Sequence, residues 1–192
     1  MKGLYVFLSI VLLLVLLGGC SYNGMNSARV NVDQKWANVQ SSYQRRADLI
    51  PNLVETVKGE ANFEKSTLTD VIQARANATS MKVDAKDLSP DKIKQYEASQ
   101  GQLSQALGRL MVVSEQYPNL KSNESFRALQ DQLEGTENRI KVSRDDFNQA
   151  VSTYNVKVTS FPTNILAGMF GFKEKGMFQA AAGSENAPKV KF

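Results

Sequence analysis

Residues 123–161 read NESFRALQDQLEGTENRIKVSRDDFNQAVSTYNVKVTSF, and in them Phe126, Leu133, Ile140, Phe147, Tyr154 and Phe161 recur at every seventh position. Leu129 joins the same seam, and Val151 and Val158 widen it. Seven residues make about two helical turns, so a strict heptad of bulky apolar groups lies as one stripe along an α-helix. The stretch predicts a helix over 123–160 that packs along a seam for its whole length.

Upstream, the same periodicity returns three times while strand-like alternation is nearly absent. Val32, Trp36, Val39, Tyr43 and Ile50 form one face of a helix over 26–49. Pro51 has no N–H and disfavours helical geometry at Ile50, so a break is expected there, with a kink as the alternative. A second helix over 51–79 turns Val54, Val57, Ala61, Leu68, Val71, Ile72 and Ala78 inward. Residues 80–89 read as a polar loop. Ser89-Pro90-Asp91 then supplies a cap and a first-turn proline for a third helix to Tyr117, carrying Ile93, Tyr96, Leu103, Leu107, Leu110 and Val113. Pro118-Asn119 ends it, and Asn52 and Asn164, each beside a proline, read as turn formers. The fold class expected over 28–161 is therefore all-α, an antiparallel up-and-down four-helix bundle.

The other decisive segment is the start. Met1-Lys2 precedes an apolar run from Leu4 to Leu17 and then Leu17-Gly18-Gly19-Cys20, with Cys20 the only cysteine. A short positive start, an apolar core and small residues at its end make a secretory signal pattern. The Leu-Gly-Gly-Cys ending resembles the bacterial lipobox, which assigns 1–19 to a cleaved signal peptide, Cys20 to lipidation and 20–27 to a lipidated anchor and polar spacer. The alternative is an uncleaved single-pass anchor, for which the run is short against the roughly 20 residues a spanning helix needs. Both place the protein at a membrane.

Composition narrows the chemistry. The chain has 23 basic and 19 acidic side chains. Lys2 is the only charged residue of the leader, so the remainder carries net +3, spread along the chain, and no nucleic-acid partner is expected. There is no histidine. That excludes Ser-His-Asp triads, Cys-His pairs and His-containing zinc sites, and lipidation of Cys20 would remove the only thiol. No phosphate-binding glycine loop or nucleophile elbow occurs. Paired carboxylates in a bundle can hold two metals, but that arrangement needs Glu-x-x-His pairs. No cofactor, metal or catalytic residue is expected, and the Asn77-Ala78-Thr79 sequon has no meaning in a bacterial lipoprotein.

Several polar groups lie in phase with the core. Glu64 follows Ala61 by three, Arg75 follows Val71 by four, and Glu137 and Arg144 flank the heptad stripe. Unpaired charge in a dry core costs several kcal/mol, so inter-helix ion pairs involving Glu64, Arg75, Glu137 and Arg144 are expected, fixing helix register. Arg45 and Arg46 point about 100° apart on a helix. With Asp48 they form either a structural corner at Pro51 or a partner-facing surface. Beyond Phe161-Pro162, the apolar patch Ile165, Leu166, Met169, Phe170 and Phe172, with Lys173 and Lys175, makes 162–178 either a cap on the bundle or a membrane contact. Residues 179–192 read as a flexible tail.

Two blocks carry a family resemblance. Gln44-Arg45-Arg46-Ala47-Asp48-Leu49-Ile50-Pro51-Asn52-Leu53-Val54 through Gly59 is the first, and Glu137-Asn138-Arg139-Ile140 through Asn148, Tyr154-Asn155, Phe161-Pro162-Thr163-Asn164 and Phe170-Gly171-Phe172 the second. Together they resemble the LemA family of bacterial membrane-associated proteins over about 31–178. Phe147 departs from the family's more frequent Tyr, and the lipobox departs from members with a single spanning segment. The resemblance implies a helical domain held at a membrane and no common biochemical activity. The expected role is a non-catalytic envelope scaffold or adaptor. Its partners are membrane lipid through Cys20 and an envelope protein, and its place is outside the cytoplasm, at the outer membrane where two membranes exist. Competing roles are membrane remodelling and a carboxylate-based envelope enzyme.

Overall fold

A computed structural model describes residues 2–60 and 63–179, apart from the side chains of 2, 6 and 9–17. Its regular structure is six helices: α1 Lys2–Lys58, α2 Lys65–Ser80, α3 Pro90–Ser114, α4 Pro118–Ser122, α5 Glu124–Thr159 and α6 Thr163–Phe170. No strand occurs among the described residues. The protein is all-α.

Helix α1 overturns two expectations. Residues 20–27 are helix rather than spacer, with Met25 and Ala28 already buried. Pro51 lies inside the helix, exposed, and neither ends nor restarts it. A proline removes the hydrogen bond to the carbonyl four residues back, here that of Ala47. That carbonyl instead accepts from Arg75 Nε on α2 at 2.8 Å. Arg75 supplies the donor that Pro51 cannot, which removes one of the two penalties of an internal proline. Asn52 consequently sits in helix rather than in a turn. The interruption expected at Pro51 falls instead after Lys58.

Helix α1 packs along α5, α2 packs against α3, and α1 also touches α2 and α6. Helices α1 and α5 run antiparallel: Lys157 Nζ donates to the Gly24 carbonyl, Lys35 pairs with Asp146, and Ser42 meets Ser143. Five of the six heptad residues are buried in α5, whereas Phe161 is 81% exposed because the helix has ended at Thr159. Asn123 caps α5 by accepting from the Phe126 N–H at 3.1 Å. Ile72 on α2 is likewise exposed rather than inward, and Ala61 lies outside the described residues.

The buried side chains form two clusters. One joins the start of the body of α1 to the end of α5 and includes Trp36, Tyr43, Tyr96, Phe147, Tyr154, Phe172 and Phe178. The other joins the end of α1 to α2, α3 and the start of α5, with Ile50, Leu53, Val57, Leu68, Leu103 and Leu110. We call these the proximal and distal clusters, by their distance along α1 from Cys20. The 81–89 loop belongs to the first, since Val83 and Leu88 are buried in it. The Val83 carbonyl accepts from Trp36 Nε1 at 3.1 Å and Gln40 Nε2 at 3.2 Å.

Candidate functional site

Three polar assemblies and one exposed apolar surface gather many of the residues singled out from sequence. The first assembly lies between the two clusters. Arg46 is in phase with the buried stripe of α1, three residues after Tyr43 and four before Ile50, and is 2% exposed. It is therefore core, not partner surface. Its Nη1 donates to Ser104 Oγ at 2.7 Å and to both Glu137 oxygens at 2.9 and 3.1 Å. Its Nη2 donates to the side-chain and backbone oxygens of Gln100, at 2.9 and 3.2 Å. The guanidinium also lies over the Tyr43 ring at 5.1 Å. One buried cation thus ties α1, α3 and α5 together at a single level. Arg45 and Asp48 remain exposed, with Asp48 accepting from Gln44 at 2.7 Å.

Of the four residues expected to take part in inter-helix ion pairs, Glu137 and Arg144 each make one, whereas Glu64 and Arg75 make hydrogen bonds instead. Glu137 pairs with Arg46, and its own side chain is half exposed, so the pair sits at a wet edge. Arg144 pairs with Glu97 of α3. Arg75 caps the Ala47 carbonyl, and Glu64 accepts from the Ser66 and Thr67 hydroxyls at the start of α2. Sequence periodicity placed these groups beside the core without identifying partners on other helices: Glu97, Gln100 and Ser104 were missed. Arg46 was legible from its spacing to Tyr43 and Ile50.

A strap after α6 makes the second assembly. Gly171 closes α6 with φ of 73°, a left-handed conformation that suits glycine, and the chain then runs along α5. Asn155 brackets Lys175, accepting its N–H at 3.0 Å and donating to its carbonyl at 2.8 Å. Asn148 brackets Phe178 in the same way, both bonds at 2.9 Å. Seven residues of helix rise about 10.5 Å, close to the roughly 10 Å spanned by three extended residues, so the two brackets stay in register. The Tyr154 hydroxyl donates to the Lys173 carbonyl at 2.9 Å, and the Gly176 N–H to the Leu88 carbonyl at 2.7 Å. A Cβ at Gly176 would lie 2.6 Å from the Pro90 Cα, so the close approach requires glycine. Phe172 and Phe178 fill the proximal cluster. Gln179, expected in a loose tail, is held by Arg144 and Glu97, while 180–192 lie outside the described residues.

The third assembly is Lys175, whose Nζ donates to Asp33 and to the Ala85 carbonyl, each at 3.0 Å. Its side chain is largely buried. Phe172 and Lys175 thus face inward, and Leu166 is half-buried against the proximal cluster. Of the patch expected to touch a membrane, Ile165, Met169, Phe170 and Lys173 are exposed.

Burial pushes the Tyr43, Tyr96 and Tyr154 hydroxyls above the ordinary phenol value of 10.0, which favours their neutral form. A cavity of about 260 Å³ lies beside Tyr43 and Tyr96, lined also by Gln40, Gln44, Thr79 and Lys82. Among the described residues no three His, Cys, Asp or Glu side chains are grouped as metal ligands. Cys20 is exposed on α1. Among the described residues no helix is long and apolar enough to cross a membrane.

Residues 35–192, and so both the Arg46 level and the strap, match the model of the LemA family. The chain belongs to the LemA family. The chain is similar to the magnetosome proteins MamQ 1 and MamQ 2 of Paramagnetospirillum magneticum, each 30% identical over 175 residues covering 82% of this chain and 64% of the relative. The protein named LemA of Metamycoplasma hominis is 26% identical over 143 residues, 74% of this chain and 62% of its own length. The chain thus spans just under two thirds of the relatives it matches.

Proposed function

We propose that this LemA-family protein is a non-catalytic scaffold of the bacterial envelope, its four long helices arranged as an antiparallel bundle and held to the membrane at its N-terminal end. The observation that carries the reading is α1. It runs without interruption from Cys20 past Pro51 to Lys58, so the point of attachment and the packed body share one helix. A body joined this way presents its far end at a set height. The groups that composition left available for catalysis are engaged in structure: Glu137 holds Arg46, Glu97 holds Arg144, and Glu64 serves the first turn of α2. Arg45 and Asp48 offer an exposed surface for a protein partner.

The anchoring chemistry proposed is acylation of Cys20 with removal of 1–19, leaving the body extracytoplasmic; retention of the leader as a single-pass anchor is the alternative. The test is the intact mass of the protein extracted from its native membrane, paired with protease accessibility on whole cells. A mass starting at an acylated Cys20, with the body on the outer side, is the expected result. An intact Met1 without lipid would replace the lipoprotein by the spanning anchor, and recovery in the soluble fraction would overturn membrane anchoring altogether.

A further inference from the structure

Helix α6 keeps one side in the proximal cluster through Ala167 and Leu166 and still carries large apolar groups on its other side. Ile165 is 58% exposed, Met169 75% and Phe170 51%, and Phe161 just before the helix is 81% exposed. Four such side chains on one short segment exceed the scatter of single apolar residues usual on a soluble surface. Their place in the fold is set by Tyr22, whose ring meets Phe170 at 5.1 Å and Phe172 at 5.6 Å, edge to face. Tyr22 stands two residues beyond Cys20, about 3 Å along the helix axis. The surface therefore lies level with the end of the apolar leader, whichever way that leader is held.

Basic groups surround it. Arg29 stacks over Phe172 at 5.2 Å, Lys157 reaches the Gly24 carbonyl, and Lys173 is exposed directly after the α6 turn. Asp33 is neutralised by Lys175, and the remaining acidic neighbours are Glu174 and Asp87, which line one cleft with Arg29 and Lys173. An apolar face with cations just behind it suits the boundary between acyl chains and anionic headgroups, where such segments sit roughly 5–10 Å deep.

We infer that Phe161, Ile165, Met169 and Phe170 form a second membrane contact, a foot that dips into the same leaflet as the anchor while Arg29, Lys157 and Lys173 meet anionic lipid headgroups. The inference rests on the membrane anchoring proposed above. Its occupant is a lipid surface because the apolar face lies beside the anchor point, through the Tyr22–Phe170 contact, and its charge complements phosphate. Anchor and foot together set the orientation of the body, which one flexible attachment would leave free.

The test uses the full chain in vesicles of zwitterionic phosphatidylcholine, with and without phosphatidylglycerol. An environment-sensitive fluorophore is placed at Met169→Cys or, as a control at the opposite end of the body, at Val112→Cys, in protein whose Cys20 carries its lipid. The expected result is a blue-shifted label at 169 that headgroup-level nitroxide lipids quench several-fold more strongly than the label at 112. Phe170→Ser with Ile165→Ser should bring the two labels together, and Lys157→Glu with Lys173→Glu should weaken quenching on the anionic vesicles alone. Equal quenching at 169 and 112 in protein that still floats with the vesicles overturns the foot and leaves the anchor standing. Protein that does not float overturns both. A shielded but unquenched label at 169 would assign the face to a protein partner and also overturn the foot, and identical behaviour on both vesicle types would overturn the role of headgroup charge.

Discussion

The proximal and distal halves of this protein share α1 and α5 but are held by different kinds of contact. In the proximal half, aromatic rings meet at set angles: Trp36 packs on Tyr96 at 5.1 Å and on Phe147 at 5.4 Å, and Phe178 of the strap closes over both Trp36 and Phe147. Hydrogen bonds from Trp36, Tyr154, Asn148 and Asn155 fix backbone that belongs to no regular element. The distal half is mainly aliphatic, with leucines and valines of α1, α2 and α3 between the helices. Aliphatic cores tolerate repacking, whereas directional contacts reject alternatives. The half nearest the N-terminal leader is thus the more specified one, and the Arg46 level marks where one regime gives way to the other.

That contrast can be broken from either side. Trp36→Ala should have the largest effect, about 3–5 kcal/mol in chemical denaturation, as for other buried aromatics. The unfolding should remain a single transition because α1 and α5 cross both halves; separate transitions for proximal and distal exchange would show two independent units. Next, Arg75→Met should cost about 1–3 kcal/mol by leaving the Ala47 carbonyl without its donor. In a Pro51→Ala background, where residue 51 can again donate to Ala47, the same substitution should cost much less. An equal loss in both backgrounds would sink the capping account. Gly176→Ala should follow at the lower end of the range of about 1–3 kcal/mol for overpacking. Its signature should be raised amide exchange at 173–179 with the distal half unchanged.

The smallest effect is on the alkaline side and should come from the proximal half. Tyr43, Tyr96 and Tyr154 have hydroxyls raised above 10.0 by burial, which means that the fold prefers them neutral. Their contribution is complete below about pH 10 and is lost as pH rises through the elevated folded values. Stability should therefore fall above pH 10, and Tyr43→Phe should flatten that fall without altering behaviour at pH 7. A slope unchanged by the substitution would remove Tyr43 as a source.

The helical class was legible because a heptad is a local property: Phe126 to Tyr154 need only each other's spacing to declare a buried seam. Phe161 satisfied the same spacing and failed, since the helix stops two residues earlier and periodicity carries no information past its end. Pro51 was misread for a different reason. What lets it stay in a helix is a guanidinium on α2, 28 residues from the carbonyl it caps, and only the packing of α2 on α1 brings the two together. The strap was invisible for the same reason. Lys175 and Phe178 are extended because two asparagines on α5 bond their backbone, and nothing in the segment itself demands it. Resemblance to the LemA family, drawn from the block around Pro51 and from the end of α5, held over 35–192. It spoke of membership more clearly than of partners.

Uninterrupted helix has one mechanical consequence. From Cys20 to Lys58, α1 extends roughly 57 Å at 1.5 Å per residue. Membrane helices lean by about 20° on average, and a rod of that length leaning so far carries its free end sideways by roughly 20 Å. Had Pro51 made a hinge, the last turns would decouple from the lean. With α1 continuous through Pro51, and on the anchoring proposed above, a small change in the angle at which the Cys20 end is held would be magnified at the opposite end of the molecule. The Arg75–Ala47 hydrogen bond is in this sense a stiffener, and its removal should shorten the lever by making a joint near Pro51.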